Sequence, residues 1–197
     1  MENKSGQPVR CNWVSDDPLY LDYHDQEWGV PVKDDQKLFE MLILEGAQAG
    51  LSWITILRKR ENYRSAFTNF DPEAIAGFTA QDVEKLMKDP GLVRNRLKIN
   101  SVISNAKAWL EIMKGGEGAF SDFVWSVVNG QIINNSWVDL GAVPASTPES
   151  ERLSKLLKKN GFKFVGPTIC YAYMQACGMV NDHVTSCYRY HEIVPRV

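Results

Sequence analysis

A chain of 197 residues, 44% of them hydrophobic, can enclose a real core as one domain or as one compact unit with two lobes. A formal charge of −2 excludes a global basic field, so any nucleic-acid partner has to be held by local basic patches. The longest purely aliphatic run, Met41-Leu42-Ile43-Leu44, is far short of the roughly 20 residues of a membrane span.

The N-terminal stretch "MENKSGQPVRCNW" lacks the apolar segment of a secretory signal. The chain has four cysteines; thiols and metal ligands are therefore expected rather than a disulfide scaffold. The expected location is the cytoplasm.

In chain order, the pattern reads helical nearly throughout. "DDQKLFEMLILEGAQAG" opens with Asp34 or Asp35 as N-cap and places apolar residues at 38, 39, 42 and 43. "LSWITILRKRENYRSAF" takes Ser52 as its cap, with Trp53, Ile56, Leu57, Tyr63 and Phe67 at helical spacing. "TAQDVEKLMKD" carries a Thr79-x-x-Asp82 start and ends at Pro90-Gly91. A longer helix over "NRLKINSVISNAKAWLEIM" closes at Gly115-Gly116, and "SDFVWSVVNG" is a short one. Residues 131–147, with Pro144 and several turn formers, read as a loop. Ser146-x-x-Glu149 then predicts a capping box for a helix from about Pro148 to Lys159. The expected class is all-α.

Three stretches carry chemistry. "HVTSC" sets His183 and Cys187 four apart, as if stacked on one helical turn. His191, Cys170 and Cys177 are the nearby alternatives, and Cys11 with His24 form the remaining pair. Cys11, His24, His183 and Cys187 make a mixed sulfur–nitrogen set suited to a tetrahedral zinc whose protein ligands fill every position. Such a site would be structural, cross-linking the two ends of the chain. The alternative is a buried cysteine and an exposed histidine at each end.

"LSKLLKKNGFKFVGPTICYAYMQACG" joins a basic helix to an apolar one through a glycine-bounded hairpin. Outward amides at that turn suit a phosphate, and Lys155, Lys158, Lys159 and Lys163 supply local positive charge. The alternative is an ordinary helical hairpin with a solvated lysine face. In "LILEGAQAGLSWITIL", Glu45 falls where its helix should enter the core. A buried carboxyl needs partners or keeps its proton. Trp13, Tyr20, Tyr23, Trp28 and Trp53 could wall a cavity around it, suited to a flat, electron-poor or cationic ligand. The alternative is that the rings are core and Glu45 caps a neighbouring turn.

From about Arg10 to Tyr188 the chain resembles the bacterial 3-methyladenine DNA glycosylase I family. The matching motifs are "RCNWVSDDPLYLDYHDQEWGVP", "LFEMLILEGAQAGLSWITILRKRENYR" and "GFKFVGPTICYAYMQACGMVNDHV". The resemblance implies a helix-hairpin-helix glycosylase: one unit over 1–197 with two helical lobes and a helix-hairpin-helix element at about 148–178. It implies one zinc held by Cys11, His24, His183 and Cys187 in a lobe built from about 10–28 and 179–190. It makes Glu45 and Tyr23 the groups that hydrogen-bond a flipped base, with Trp53 stacked on it and Tyr20, Trp13 and Trp28 as walls.

Leu51 would plug the gap in the duplex and Gln48 would probe the opposite strand. Phe162, Lys163, Phe164, Val165 and Gly166 would clamp the backbone. The implied reaction is hydrolysis of the N-glycosidic bond of 3-methyladenine in alkylated double-stranded DNA, by a monomer with no membrane partner. "GPTICY" offers no lysine, so strand nicking is not expected. Asp182 is expected to orient His183 or its turn. Two rivals are a damage reader that does not cleave, and a zinc-stapled interaction module.

Overall fold

Local chemistry starts most of the helices. The computed structural model describes residues 8–193; positions 1–7 and 194–197 of the expected single unit lie outside the described residues. Asp17 caps α1 (Pro18–Asp22), with Pro18 in its first turn, and a π-helical turn over Tyr23–Glu27 follows directly. Asp34, not Asp35, caps α2 (Asp35–Gln48) by accepting from the Lys37 amide at 2.7 Å. α3 spans Trp53–Ala66, and Ser52 stands at its N-cap without a side-chain bond to the helix. α4 (Pro72–Ala76) is capped by Asp71. The expected capping pair of Thr79 and Asp82 opens α5 (Ala80–Lys88).

α6 (Arg96–Met113) is the long helix, and α7 covers Ala119–Trp125. α8 (Pro148–Lys159) begins where expected, but its capping box is Thr147 with Ser150 rather than Ser146 with Glu149. α9 spans Pro167–Ala176, and a short α10 covers Tyr190–Ile193.

The 131–147 segment is not wholly loop. Its β1 (Ile133–Asn134) pairs in parallel with β2 (Val180–Asn181), Ile133 opposite Val180. A 3-10 turn over Leu140–Ala142 follows. No local pattern announces a two-residue ladder, because its register is fixed by a partner far along the chain.

α2 is the centre, packed by α3, α6, α7 and α9. Every residue from Leu38 to Ala47 is buried, the mark of a helix enclosed on all sides. Two acids ride in that run. Glu40 is answered by Arg64 at 2.7 Å and Lys37 at 3.1 Å; Glu45 has no such partner among the described residues. At the end of α9, Gly178 has φ +68°, and a Cβ there would fall 2.5 Å from the backbone of Val30 and Pro31. That contact seats α9 against the segment leaving the π-turn. No helix among the described residues is long and apolar enough to cross a membrane.

Candidate functional site

Consecutive residues of the π-turn serve two places: Tyr23 faces a cavity and His24 faces a cluster of metal-ligating groups. The cavity measures about 200 Å³ and is lined by Trp13, Tyr20, Tyr23, Trp28, Glu45, Gln48 and Trp53. All six residues expected around a base therefore share one wall system, and Gln48, expected at the opposite strand, lines the cavity too. Sites for drug-sized ligands run to about 300–1,000 Å³; this one suits something nearer a single nucleobase.

The rings brace each other. Trp13 meets Tyr20 at 5.0 Å and Trp28 at 5.1 Å, both edge to face. Tyr23 lies 5.3 Å from Trp53 with the planes inclined at 48°.

Glu45 is 4% exposed. Burial alone pushes its carboxyl up to about 8, with no charged or hydrogen-bonding neighbour to offset it among the described residues. At neutral pH it keeps its proton. Burial foremost, then the nearness of Glu45, holds Tyr23 well above the usual phenol range, so its hydroxyl stays a donor.

A further wall comes from Leu140, Val143, Ala172, Gln175 and Asp182, residues the sequence pattern did not assign to the cavity. Asp182, expected to orient His183 or its turn, makes no side-chain bond to His183. Its Oδ1 accepts from Asn135 Nδ2 and Trp137 Nε1, each at 2.7 Å. Its Oδ2 accepts from the Tyr171 hydroxyl at 2.6 Å and Gln175 Nε2 at 2.8 Å. All its lone-pair sites are taken. The His183 amide turns instead to Asn181 Oδ1.

Behind the cage, Cys11, His24, His183 and Cys187 are all buried, and their ligand atoms lie within 4.8 Å of one another. "HVTSC" is an irregular turn, not the helical one expected, yet both side chains reach the same point. Sulfur–nitrogen separations are 3.6 Å for Cys11–His183 and 3.5 Å for both Cys187–His24 and Cys187–His183. A tetrahedron with zinc–sulfur bonds of about 2.3 Å and zinc–nitrogen bonds of about 2.0–2.1 Å has such an edge, near 3.5 Å. The inward nitrogens are His24 Nε2 and His183 Nδ1. The outward ones meet Asp25 Oδ1 at 2.7 Å and the Trp28 carbonyl at 3.1 Å, the outer contacts that fix a ligating imidazole.

Burial would raise the Asp25 carboxyl, but hydrogen bonds from Arg10 and His24 overcome it and hold it at about 2. The close approach of the two thiols draws Cys187 down and Cys11 up. The donor set can hold a metal ion. Trp28 joins the two centres: its ring lines the cavity and lies 4.6 Å from the His183 ring.

The remaining expected residues lie on two segments beside α6, and not all of them reach the surface. Leu51 is 41% exposed on a turn that Gly50 makes possible with φ +80°. In the α8–α9 hairpin, Phe162 and Val165 are core residues, each 1% exposed. Their side chains are unavailable to a partner, leaving exposed Lys163, half-buried Phe164 and Gly166. The amides of 164–166 donate to no group among the described residues. Lys155, Lys158 and Lys159 are exposed on α8.

A ring-lined, nucleobase-sized cavity with one bare acid belongs to proteins that bind a flat, electron-poor molecule. The sequence profile of a family described as "Methyladenine glycosylase" matches residues 13–190. The "DNA-3-methyladenine glycosylase 1" of Escherichia coli (strain K12) is 58% identical over 178 residues, 90% of this chain and 95% of that one. A crystal structure of 3-methyladenine DNA glycosylase I superposes with TM-score 0.89 at 59% identity, covering 91% of this chain and 98% of the other. A Staphylococcus aureus structure, described as the structural basis of 3-methyladenine recognition by the glycosylase, gives TM-score 0.88 at 38% identity over 95% and 97% of the two chains. This chain belongs to the methyladenine glycosylase family and is an enzyme of that kind.

Proposed function

We propose that the protein removes 3-methyladenine from alkylated double-stranded DNA by hydrolysing the N-glycosidic bond of a nucleotide swung into the cavity. Glu45 carries this reading. An acid left without a partner among aromatic rings is completed by a cation. Entry of a positively charged purine offsets the burial, and Glu45 ionises against it and accepts from the exocyclic amine. The Tyr23 hydroxyl offers a second hydrogen bond to the base. Trp53 stacks on it while Trp13, Tyr20 and Trp28 close the walls.

Extruding a base costs a few kcal/mol, least for a damaged one. Methylation at N3 has already made the purine a cation. Its C1′–N9 bond breaks with the electron pair passing to the purine, which leaves neutral. Water adds to the sugar carbon and releases its proton to solvent. This chain has only to bind and hold the base. Asp182 has no lone pair left to activate water, and 166–171 offer no lysine to attack the sugar, so the strand stays uncut.

Leu51 fills the vacated place in the duplex with Gln48 beside it. The free amides of 164–166, with Lys163 and the α8 lysines, hold backbone phosphates. Residues from about 148 to 178 form a helix-hairpin-helix element, and the protein works as a monomer of two lobes. Zinc held by Cys11, His24, His183 and Cys187 ties 10–28 to 179–190; its contribution is structural.

The test is to incubate the protein with methylated duplex DNA and measure free 3-methyladenine. Release is expected from the wild type and should fall by about 100-fold or more in Glu45→Gln, with the fold retained. Tight binding without release would favour the damage reader, and normal release by Glu45→Gln would remove that residue from the site. Cys187→Ser should lower both zinc content and the unfolding temperature. Unchanged stability in a metal-free protein would defeat the structural zinc.

A further inference from the structure

α6 touches both segments assigned to DNA, and does so by side chain to backbone. Lys98 is 9% exposed, and its ammonium donates to the Ala47 carbonyl at 2.8 Å and the Ala49 carbonyl at 2.6 Å. These carbonyls lie at and just past the C-terminal end of α2. Only burial perturbs Lys98, with no carboxylate among the described residues answering it. The negative end of the α2 dipole is its counter-charge. Gly50 and Leu51 follow directly, so the ammonium holds the base of the turn that presents Leu51.

Seven residues on, along the same face of the helix, Asn105 is 3% exposed. It grips the hairpin by accepting from the Lys163 amide at 2.7 Å and donating to the Lys163 carbonyl at 3.1 Å. The next residue, Phe164, has φ +54°, a left-handed conformation uncommon for a bulky side chain. A Cβ on Gly46 would lie 3.4 Å from Phe164. The hairpin tip therefore rests on α2 one residue from Ala47, while Asn105 fixes it to α6.

Seven residues of helix rise about 10 Å. Nothing in the binding of a base explains a buried cation at one end of that interval and a buried amide at the other. Both make sense if the two surface segments must be held in register.

We propose that Lys98 is a positioning residue for base extrusion: by closing the end of α2 it aims Leu51 relative to the hairpin that Asn105 holds. The inference rests on the proposed roles of Leu51 and the hairpin in gripping a duplex. Lys98 touches neither the base nor the reacting atoms, so its loss should be felt with duplex substrate and not by the cavity.

The variant is Lys98→Met, which keeps the apolar stem and removes the charge. Three quantities are read: kcat/KM for 3-methyladenine release from methylated duplex, the Kd for free 3-methyladenine by tryptophan fluorescence, and the effect of Lys98→Met within Leu51→Ala. The expected result is a duplex kcat/KM lowered by about tenfold or more with a free-base Kd within about twofold of wild type. In the Leu51→Ala background the further loss should vanish, since both changes disable one device. Unchanged duplex activity, an equal loss of free-base affinity, or losses that multiply in the double variant would each overturn the proposal. If Lys98→Met does not fold, Lys98→Gln, which keeps a donor without the charge, is judged by the same three readings. A wild-type protein that releases no 3-methyladenine rejects the proposed function itself. That outcome is distinct from an active enzyme indifferent to Lys98.

Discussion

Glu45 and Asp182 line the same cavity from different elements, and their surroundings are opposite. Asp182 accepts four hydrogen bonds, two at each oxygen. Glu45 is equally enclosed and has no partner among the described residues. A carboxylate whose acceptor sites are all filled from within the chain is architecture. It binds Asn135 and Trp137, beyond β1, to Tyr171 and Gln175 of α9, and so fixes one wall. A carboxyl left alone in a ring cage has its acceptor sites open to whatever enters the cavity. Glu40 makes the same point within one helix: five residues before Glu45, it is neutralised by Arg64 and Lys37.

The largest effect expected from this contrast is in the fold. Asp182→Ala would leave four donors facing each other without an acceptor. An unsatisfied buried group costs about 1–3 kcal/mol. The buried Tyr171 hydroxyl bears that cost in full, while the half-buried Asn135, Trp137 and Gln175 donors, which cavity water can reach, bear part of it. The total should still exceed that of any single donor. The variant should unfold far below the wild type or fail to purify. A Glu45→Ala protein should lose much less. Equal losses in chemical denaturation would erase the distinction between an architectural acid and a functional one.

The next effect is a pH dependence. The Glu45 carboxyl lies near 4.5 when unfolded and at about 8 in the folded protein. Between those values the folded chain keeps a proton that the unfolded chain has released. Its share of stability is complete below pH 4.5 and drains away as pH rises to 8, by up to about 1.4 kcal/mol per unit. Glu45→Gln has no proton to lose. Its stability relative to wild type should climb between pH 5 and 8 and then level off. A constant difference across that range would mean that Glu45 is ionised and partnered in the folded protein.

How much of this was legible in the sequence depended on distance along the chain. Helix starts at Asp34 and Thr79 are short-range chemistry and were readable. The α8 cap was displaced by one residue because Ser146-x-x-Glu149 fits the capping-box pattern, whereas the cap formed is Thr147 with Ser150, whose hydroxyl takes the place the pattern reserves for an acid or amide. α1 carried its Asp17-Pro18 start signal, but a five-residue helix running into a π-turn has too little periodicity to register. The cavity's rings, Glu45 and the four cysteine and histidine residues able to hold a metal were named from residue type and resemblance. What escaped was assembled from afar. The β1–β2 ladder joins 133 to 180, and the donors to Asp182 come from 135, 137, 171 and 175. Adjacency in the chain pointed from Asp182 to His183, but consecutive residues need not face the same way: Asp182 lines the cavity and His183 faces the cysteine–histidine cluster.

The smallest effect grades the Asp182 centre. Tyr171→Phe removes one donor of the four and leaves a ring of the same shape. The Tyr171 hydroxyl is held far above the usual phenol range, chiefly by burial and then by its bond to Asp182, so the group lost is a neutral donor. A hydrogen bond to a charged acceptor contributes about 1.5–3 kcal/mol, and cavity water can reach the vacated lone pair and recover part of it. The expected cost is therefore about 1–2 kcal/mol in chemical denaturation, with 3-methyladenine affinity unchanged, because three donors still anchor the wall. If Tyr171→Phe instead weakened base binding as strongly as Glu45→Gln, Asp182 would be answering to the ligand as well as to the fold, and the separation of the two acids would fail at its most finely adjusted point.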